Sequence, residues 1–339
     1  MLLTMTNFRL PAEWEPQSGV QLTWPHAATD WEDMLDVVDE TYVEMARHIA
    51  SHERLLIVTP EVERVRSLCR GIDALYIKCP SNDTWARDHA FITVEKDNGS
   101  HHLLDFGFNG WGMKFAANLD NQINHHVFGS GCLCGSYASH LDFTLEGGSI
   151  ESDGHGTILT TSRCLMSHNR NEWLSRPQIE EQLRQRLGAK RVLWLDYGAV
   201  EGDDTDSHID TLARLCPNDT LLYICDSHSD ELNRMEAQLR EFQTDDGRPY
   251  RLVPLPSPTP MFDDEGYPMP ATYANFLVIN GAVLVPTYAQ QQTDSEALRQ
   301  IASVFPDREI VPIDCRSLIH QHGSLHCCTM QYPAGVIAK

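Results

Sequence analysis

The chain has 339 residues, 42% of them hydrophobic, and a formal net charge of −22. This length accommodates one large domain or two average ones, and the apolar fraction allows a sizeable core. The negative charge argues against nucleic acid and anionic membrane surfaces as partners, because both would be repelled, and it favours a cationic small molecule.

The sequence carries no recognisable membrane span or secretion signal. No run approaches the roughly 18 apolar residues that a span needs. The N-terminal stretch MLLTMTNFRLPAEWEP lacks the charged region, apolar core and cleavage site of a signal peptide. Ten cysteines are too few for a disulfide scaffold in a chain of this length, so we expect reduced thiols and a cytoplasmic protein.

Runs rich in β-branched and aromatic residues predict strands along the whole chain. In order they are 54–59, 74–79, 91–94, 102–106, 157–161, 191–195, 220–225, 251–255, 276–288 and 309–314. Helical spacing of apolar residues predicts helices between them, at 29–51, 60–71, 176–188, 229–243 and 293–306.

The alternation of strands and helices predicts an α/β or α+β fold. A hairpin signal, DNG in FITVEKDNGSHHLLDF, argues against a purely parallel sheet. Neither glycine-rich nucleotide-binding motif is present. The strand–helix unit recurs about five times without clear sequence identity. The proline-rich stretch 254–270 is either an interdomain linker or a long loop, and the loop is favoured because β-like runs resume after it.

Four stretches combine charge, glycine and aromatic residues in ways that core packing does not require. They are NDTWARDHA (82–90), LEGGSIESDG (145–154), EGDDTDSHID (201–210) and GSLHCCTMQYP (323–333). Each has an ordinary structural explanation when taken alone, for example a surface ion pair or a solvated acidic loop. All of those explanations would have to hold at once for the chain to lack a site.

Together these stretches supply what attack on a guanidinium carbon requires. Carboxylates hold the planar cation through its N–H donors. A thiolate is a nucleophile that works near neutral pH, and a histidine protonates departing ammonia and then activates water. The chain offers carboxylates at Asp88, Glu146, Asp204 and Asp210, a histidine at His208 and a thiol at Cys327.

Three further roles follow from position. His208 and Asp210 are two residues apart, so in an extended segment they face the same side, and Asp210 binds substrate or orients the imidazole. Gly323, upstream of Cys327, allows close approach of substrate to the backbone. Trp85 covers the substrate chain or makes a cation–π contact.

The same stretches, in this order, resemble the agmatine deiminase family, which includes the Porphyromonas-type peptidylarginine deiminases. The resemblance runs from LPAEWEPQSGVQLTWPH (10–26) through NDTWARD, LEGGSI and DTDSHID to GSLHCCTMQYP, nearly the whole chain. It implies one pentein domain over residues 1–339, an α/β propeller of five pseudo-repeats around a central site. It also implies hydrolysis of agmatine to N-carbamoylputrescine and ammonia, in polyamine biosynthesis, with no metal or organic cofactor.

The resemblance also implies the role of each site residue. Cys327 is the nucleophile that forms an amidino-thioether, and His208 is the acid and base. Asp88 and Asp210 bind the guanidinium. The remaining roles are support of the histidine by Glu146, substrate binding by Asp204 and packing over the substrate chain by Trp85.

Two departures from the family pattern concern the site. RDHAF (87–91) stands where the family often has RD followed by TGP. QHGSLHC (321–327) stands where the family has a glycine-rich run ending in Asn-Ile-His-Cys, so Ser324 replaces an asparagine and substrate specificity is open. Cys328 is interpreted as a core residue rather than a resolving cysteine.

Three other functions remain open at this stage. The same chemistry fits free or peptidyl arginine, although the acidic chain suits the ammonium end of agmatine better. A zinc site is suggested by His125, His126, Cys132, Cys134 and His140, without the spacing of a structural zinc module. A pentein-fold binding protein without activity is the third. A homodimer is expected, since closed homo-oligomers are common.

Overall fold

The computed structural model describes residues 8–338. Within them lie nineteen strands: β1 Phe8–Arg9, β2 Gln17–Thr23, β3 Arg54–Thr59, β4 Leu75–Lys78, β5 Ile92–Lys96, β6 His101–Gly107, β7 Ser136–Thr144, β8 Ile150–Ser152, β9 Thr157–Thr161, β10 Arg191–Leu195, β11 Ala213–Cys216, β12 Thr220–Cys225, β13 Arg251–Pro256, β14 Met261–Phe262, β15 Pro268–Met269, β16 Leu277–Ile279, β17 Ala282–Thr287, β18 Glu309–Asp314 and β19 Thr329–Pro333.

The same residues form ten helical segments and three 3₁₀ turns. The helical segments are α1 Leu35–His52, α2 Val62–Leu68, α3 Ala86–His89, α4 Gly110–Met113, α5 Asp120–Gly129, α6 Ser162–Leu165, α7 Arg176–Leu187, α8 Asp230–Leu239, α9 Gln291–Val304 and α10 Arg316–Ile319. The 3₁₀ turns are Glu32–Met34, Gly147–Ser149 and Ile209–Thr211. No helix among the described residues is both long and apolar enough to cross a bilayer.

One unit of secondary structure occurs five times. Each unit is an antiparallel strand pair followed by a helical crossover to a strand that is parallel to the second of the pair. The five sets are β19–β2–β3, β5–β6–β7, β8–β9–β10, β11–β12–β13 and β16–β17–β18. This repetition confirms the predicted pentein α/β fold and explains why hairpins and parallel pairs occur together.

The ends of the chain meet in one sheet. β19, at the C-terminus, pairs antiparallel with β2, so it supplies the first strand of the N-terminal unit. Strands β3 and β4 extend that sheet by parallel pairing, and β1 pairs with the edge of the second unit. Long-range pairing of this kind makes the first and last motifs of the sequence neighbours.

The prediction of strands was right for most of the interior strands and wrong for several that begin a unit. The predicted runs coincide with β3, β4, β6, β9, β10, β12, β13 and β18 to within one residue and with β5 to within two, and 276–288 is the hairpin β16–β17. The strands that were not predicted are β1, β2, β7, β8, β11, β14, β15 and β19. The helix predicted from 29 begins only at Leu35, because a 3₁₀ turn precedes it.

The proline-rich stretch is part of the fold. It continues β13 and then forms the small hairpin β14–β15. The backbone of Pro268 packs so closely on Gly202 that a Cβ there would lie 2.3 Å from the Pro268 carbonyl oxygen. The stretch is therefore a long loop that packs beside the segment carrying Asp204, which agrees with the interpretation as a loop.

Candidate active site

Each of the five units contributes one polar residue to the same place. The residue lies two to four positions before the first strand of its unit, where the backbone is turning toward the centre. These residues are Asp88 before β5, Glu146 before β8, Asp210 before β11, Asn275 before β16 and Cys327 before β19. All five are buried, with 4% or less of their surface exposed.

Hydrogen bonds connect these segments in a closed circuit. In order around the centre they are Arg87 N to Cys327 O (3.1 Å), Gly148 N to Asp88 Oδ1 (3.0 Å), Thr161 Oγ1 to Ser207 O (2.7 Å), Asn275 Nδ2 to Asp210 O (3.4 Å) and Cys327 N to Asn275 Oδ1 (3.2 Å). Every unit is thus tied to the next, which fixes the site residues relative to one another.

A cavity of about 110 Å³ opens onto Cys327. Its lining residues include Trp85, Asp88, Gly323 and Cys327, and also Asp204. Trp85 packs against Trp31 with ring centroids 5.7 Å apart, and its ring fills the space beside Gly323, where a Cβ would lie 2.3 Å from the indole. Gly323 is therefore required by the tryptophan, and the predicted close approach of substrate at that residue remains a proposal.

Two hydrogen bonds orient the carboxylate of Asp88, which lines the cavity. It accepts hydrogen bonds from Trp111 Nε1 (2.8 Å) and from the Gly148 amide (3.0 Å). Its Oδ1 lies 3.7 Å from His208 Nδ1. Burial raises the pKa of Asp88, and the neighbouring histidine opposes that shift.

His208 is completely buried and its ring nitrogens have no hydrogen-bond partner. Burial lowers its pKa, but Asp88, Cys164 and Glu146 together raise it well above the ordinary value. Ligand-type atoms of Glu146, Cys164 and His208 lie within 4.8 Å of one another. The surrounding groups therefore favour the cationic form of the ring, and neither ring nitrogen has a close hydrogen-bond partner among the described residues.

Glu146 lies between the histidine and a buried arginine. Its Oε1 accepts a hydrogen bond from Arg170 Nε at 2.8 Å, and its Oε2 has no partner. Arg170 also donates to Asp206 Oδ2 and to the Thr205 carbonyl, so it ties Glu146 to the loop before His208. This position agrees with the predicted support of the histidine, and the support remains a proposal.

Asp210 stays ionised despite complete burial. Burial would raise its pKa, but the hydrogen bond from His326 Nδ1 (2.7 Å) and nearby cations lower it below the ordinary value. Its Oδ1 has no partner within the protein. A buried carboxylate oxygen with an open lone pair is a ready acceptor for a guanidinium N–H.

Cys327 carries a protonated thiol in the free site. Burial raises its pKa well above the ordinary value, and the carboxylates of Asp210 and Asp88 raise it further. The thiol lies 3.4 Å from Asn275 Oδ1. Cys328 is fully buried in the main hydrophobic core cluster, as its interpretation as a core residue requires.

Some residues at the site were not predicted. Asn275 and Arg170 are single polar residues inside ordinary-looking segments, and no motif marks them. Trp111 had a signal, a tryptophan between two glycines in FNGWGMKF, and α4 around it is a left-handed turn with φ of 54° at Trp111 and 67° at Met113. His322 also lines the cavity.

The residues suggested for a zinc site do not assemble. Among residues 8–338, the sets of three ligand-type side chains close enough to hold an ion are Glu146, Cys164, His208 and Glu13, Glu151, His326. His125 and His126 lie on α5, whereas His140 lies on β7 and contacts Arg186.

The chain matches the Porphyromonas-type peptidyl-arginine deiminase family over residues 9–333. The agmatine deiminase of Pseudomonas putida is 32% identical over 97% of this chain and 96% of its own length. The crystal structure of a Porphyromonas gingivalis protein, described as a putative arginine deiminase, is 49% identical with a TM-score of 0.93, covering 98% of this chain and 100% of that one. A C. jejuni agmatine deiminase with substrate bound is 33% identical with a TM-score of 0.91, covering 99% of each chain.

Proposed function

Because the chain belongs to the Porphyromonas-type peptidyl-arginine deiminase family, we propose that it hydrolyses the guanidinium group of agmatine to N-carbamoylputrescine and ammonia. The choice of agmatine as the substrate rests on one observation, the charge of the side chains that line the cavity. Four carboxylates line the cavity, those of Asp30, Asp83, Asp88 and Asp204, and the imidazole of His322 lies among them. No arginine or lysine of the described residues lines it.

A lining of this charge suits a substrate that is cationic at both ends. Agmatine carries a guanidinium and an ammonium joined by four methylenes, and it carries no anion. Arginine would bring a carboxylate to the same cavity, where it would lie among like charges without a cation to pair with. Agmatine deiminases, at 31–32% identity over nearly the whole chain, point to the same substrate.

Binding places the guanidinium between Asp88 and Asp210. Both are buried beside the thiol, and Asp210 Oδ1 is an open acceptor. Two carboxylates on one planar cation fix its orientation and present its carbon to Cys327. Trp85 packs along the methylene chain.

Substrate binding also changes the state of the nucleophile. In the free site burial raises the pKa of the Cys327 thiol most, and the carboxylates of Asp210 and Asp88 raise it further, so the thiolate is rare. A bound guanidinium places one positive charge beside the two carboxylates and offsets part of their effect on the thiol, which lowers that pKa. The thiolate therefore forms when substrate is present, and its proton leaves the site or passes to an acceptor there.

The reaction has two halves. The Cys327 sulfur attacks the guanidinium carbon, and the His208 imidazolium gives its proton to the departing nitrogen, so ammonia leaves and an amidino-thioether remains. Neutral His208 then takes a proton from water, whose oxygen attacks the same carbon. The C–S bond breaks, the thiol is restored, and N-carbamoylputrescine leaves.

Ammonia release tests this function directly. Wild-type protein is assayed with agmatine, free arginine and a blocked arginine peptide at equal concentration, and turnover of agmatine far above the others is expected. Cys327→Ser should abolish turnover while the fold is kept, whereas Cys328→Ser, which changes the adjacent buried thiol, should largely spare it. An active Cys327→Ser with an inactive Cys328→Ser would contradict the assignment of the nucleophile.

Deimination of free or peptidyl arginine is the second candidate. The P. gingivalis protein at 49% identity is described as a putative arginine deiminase, and a second structure at 40% identity as a putative peptidyl-arginine deiminase. A preference for arginine in the same assay would keep the chemistry and replace the substrate. A folded, reduced protein that turns over none of the three would favour the inactive binding protein.

The cellular setting belongs to the same proposal. Ten free cysteines suit a reducing cytoplasm, and N-carbamoylputrescine leads toward putrescine and other polyamines. A homodimer is proposed on general grounds and is checked by light scattering.

A further inference from the structure

His322 occupies a backbone position that favours glycine. Its φ is +64°, in the left-handed region, where side chains with a Cβ are disfavoured. It lies in the segment QHGSLHC, which ends at Cys327. A residue kept in an unfavourable conformation at a site is a reason to look for a function.

The contacts of the ring define its chemistry. His322 Nδ1 lies 2.8 Å from the carbonyl oxygen of Gly202. A carbonyl only accepts, so Nδ1 carries the hydrogen, and in the neutral ring Nε2 is left as an acceptor. The side chain lines the cavity, and its bond to Gly202 joins the turn before Cys327 to the loop that carries Asp204.

Asp204 lines the same cavity as His322. Burial raises its pKa to about 6. Lys114 Nζ bonds the Asp204 carbonyl and Asp206 Oδ1, so that cation is engaged elsewhere. An ammonium group has three N–H donors, so it needs more than one acceptor in a half-buried site.

On the proposed function, we propose that His322 is a specificity-determining residue that accepts a hydrogen bond from the terminal ammonium of the substrate at Nε2, beside the Asp204 carboxylate. The ring and the carboxylate then form one subsite for a primary ammonium. A substrate that ends in a carboxylate would meet a lone pair and a negative charge there, and it would be rejected.

The test distinguishes the recognition of the ammonium end of the substrate from the recognition of its guanidinium end. Wild-type protein and His322→Gly are assayed with agmatine and with n-butylguanidine, which has the same four-carbon chain without the amine. Glycine suits the left-handed backbone, so the variant should fold as the wild type does, and its melting temperature is measured alongside. His320→Asn, which alters an exposed neighbour, is the control.

We expect kcat/KM for agmatine to fall about 10- to 100-fold in His322→Gly, mainly through KM, as for one hydrogen bond to a charged group. Butylguanidine should change less than about twofold, since it does not reach the subsite. Equal losses with both substrates, or no loss with either, would overturn the inference while agmatine turnover by the wild type upholds the proposed function. Absence of agmatine turnover in the wild type would overturn both.

Discussion

His326 and His208 are both fully buried at the centre of the molecule, and their surroundings differ. His326 has a partner for each ring nitrogen, Asp210 at 2.7 Å and Glu13 at 2.7 Å. Neither ring nitrogen of His208 has one. Burial of a polar group costs free energy unless it is hydrogen-bonded, so one histidine is stabilised by the fold and the other is held ready for a ligand.

The difference extends to the residues around each histidine. Next to His326, Arg214 pairs with Glu13 and Glu151 and donates to two backbone carbonyls. Next to His208, Glu146 and Asp210 each keep one oxygen without a partner. The first group is a closed ion network and the second is an open one, and Asp210 belongs to both.

This comparison teaches how a site differs from a buried ion network of the same composition. Histidines and carboxylates alone do not distinguish the two, because both groups contain them. Here the difference lies in the hydrogen bonds: both ring nitrogens of His326 have partners, whereas His208, Glu146 and Asp210 keep unpartnered atoms close to Asp88 and Cys327, which line the cavity.

The largest expected effect concerns the open group. His208→Asn should lower kcat by about 10²- to 10⁴-fold, the usual contribution of a general acid and base. The free energy of unfolding should fall less than in His326→Asn, because His208 loses charge partners in Asp88 and Glu146 but no hydrogen bond. Steady-state kinetics and urea unfolding measure the two quantities.

His326→Asn provides the contrast, because it removes two hydrogen bonds and should lower the free energy of unfolding. Equal destabilisation by the two variants would show that the distinction between open and closed groups is wrong.

The next effect concerns the closed network. Arg214→Met should destabilise the protein by about 3–5 kcal/mol, because it leaves Glu13 and Glu151 buried with one charge partner fewer. Urea unfolding followed by circular dichroism measures it. Arg248→Met, which removes an exposed ion pair with Asp219 and Asp246, is the matched control and should change little. A small effect of Arg214→Met would mean that the network does not stabilise the fold.

The smallest effect is a pH dependence at the far end of the cavity. Burial raises the pKa of Asp204 to about 6, so its carboxylate is lost as the pH falls below that value. We expect kcat/KM for agmatine to fall at acid pH, because the ammonium loses its partner. Asp204→Asn should make this acid limb shallower.

Asp83, whose pKa burial also raises to about 6, keeps part of the acid limb in the Asp204 variant. Profiles of kcat/KM from pH 5 to 8 for both proteins measure the difference. An acid limb of the same steepness in Asp204→Asn would assign it to another group.

The predictability of the strands follows from what their faces contact. Strands such as β12 and β17 are continuous apolar runs buried on both faces, and local composition identifies them. β8 and β11 each carry a buried charge, Glu151 and Arg214, which pair with each other at 2.5 Å across two units. A charged residue in a short segment suggests a surface loop until its partner is known.

The chemical identity of the site was readable from the sequence. Residue type determines which groups can act as nucleophile, acid or cation-binding carboxylate, and motif order linked Asp88, His208 and Cys327 to one family. The predicted cavity residues Trp85, Asp204 and Gly323 also line one cavity with Cys327. Such predictions do not require the three-dimensional structure, because the reactivity of a group is a property of its side chain.

Tertiary structure alone decided which of the buried polar groups are partnered. Asn275 touches Cys327 only because two distant units meet, and His322 reaches Gly202 across 120 positions of the chain. The sequence by itself determined the functional groups and the five-fold alternation of strands and helices. The physical reason for the division is that pairing and burial depend on distances between segments, which the fold sets and composition does not.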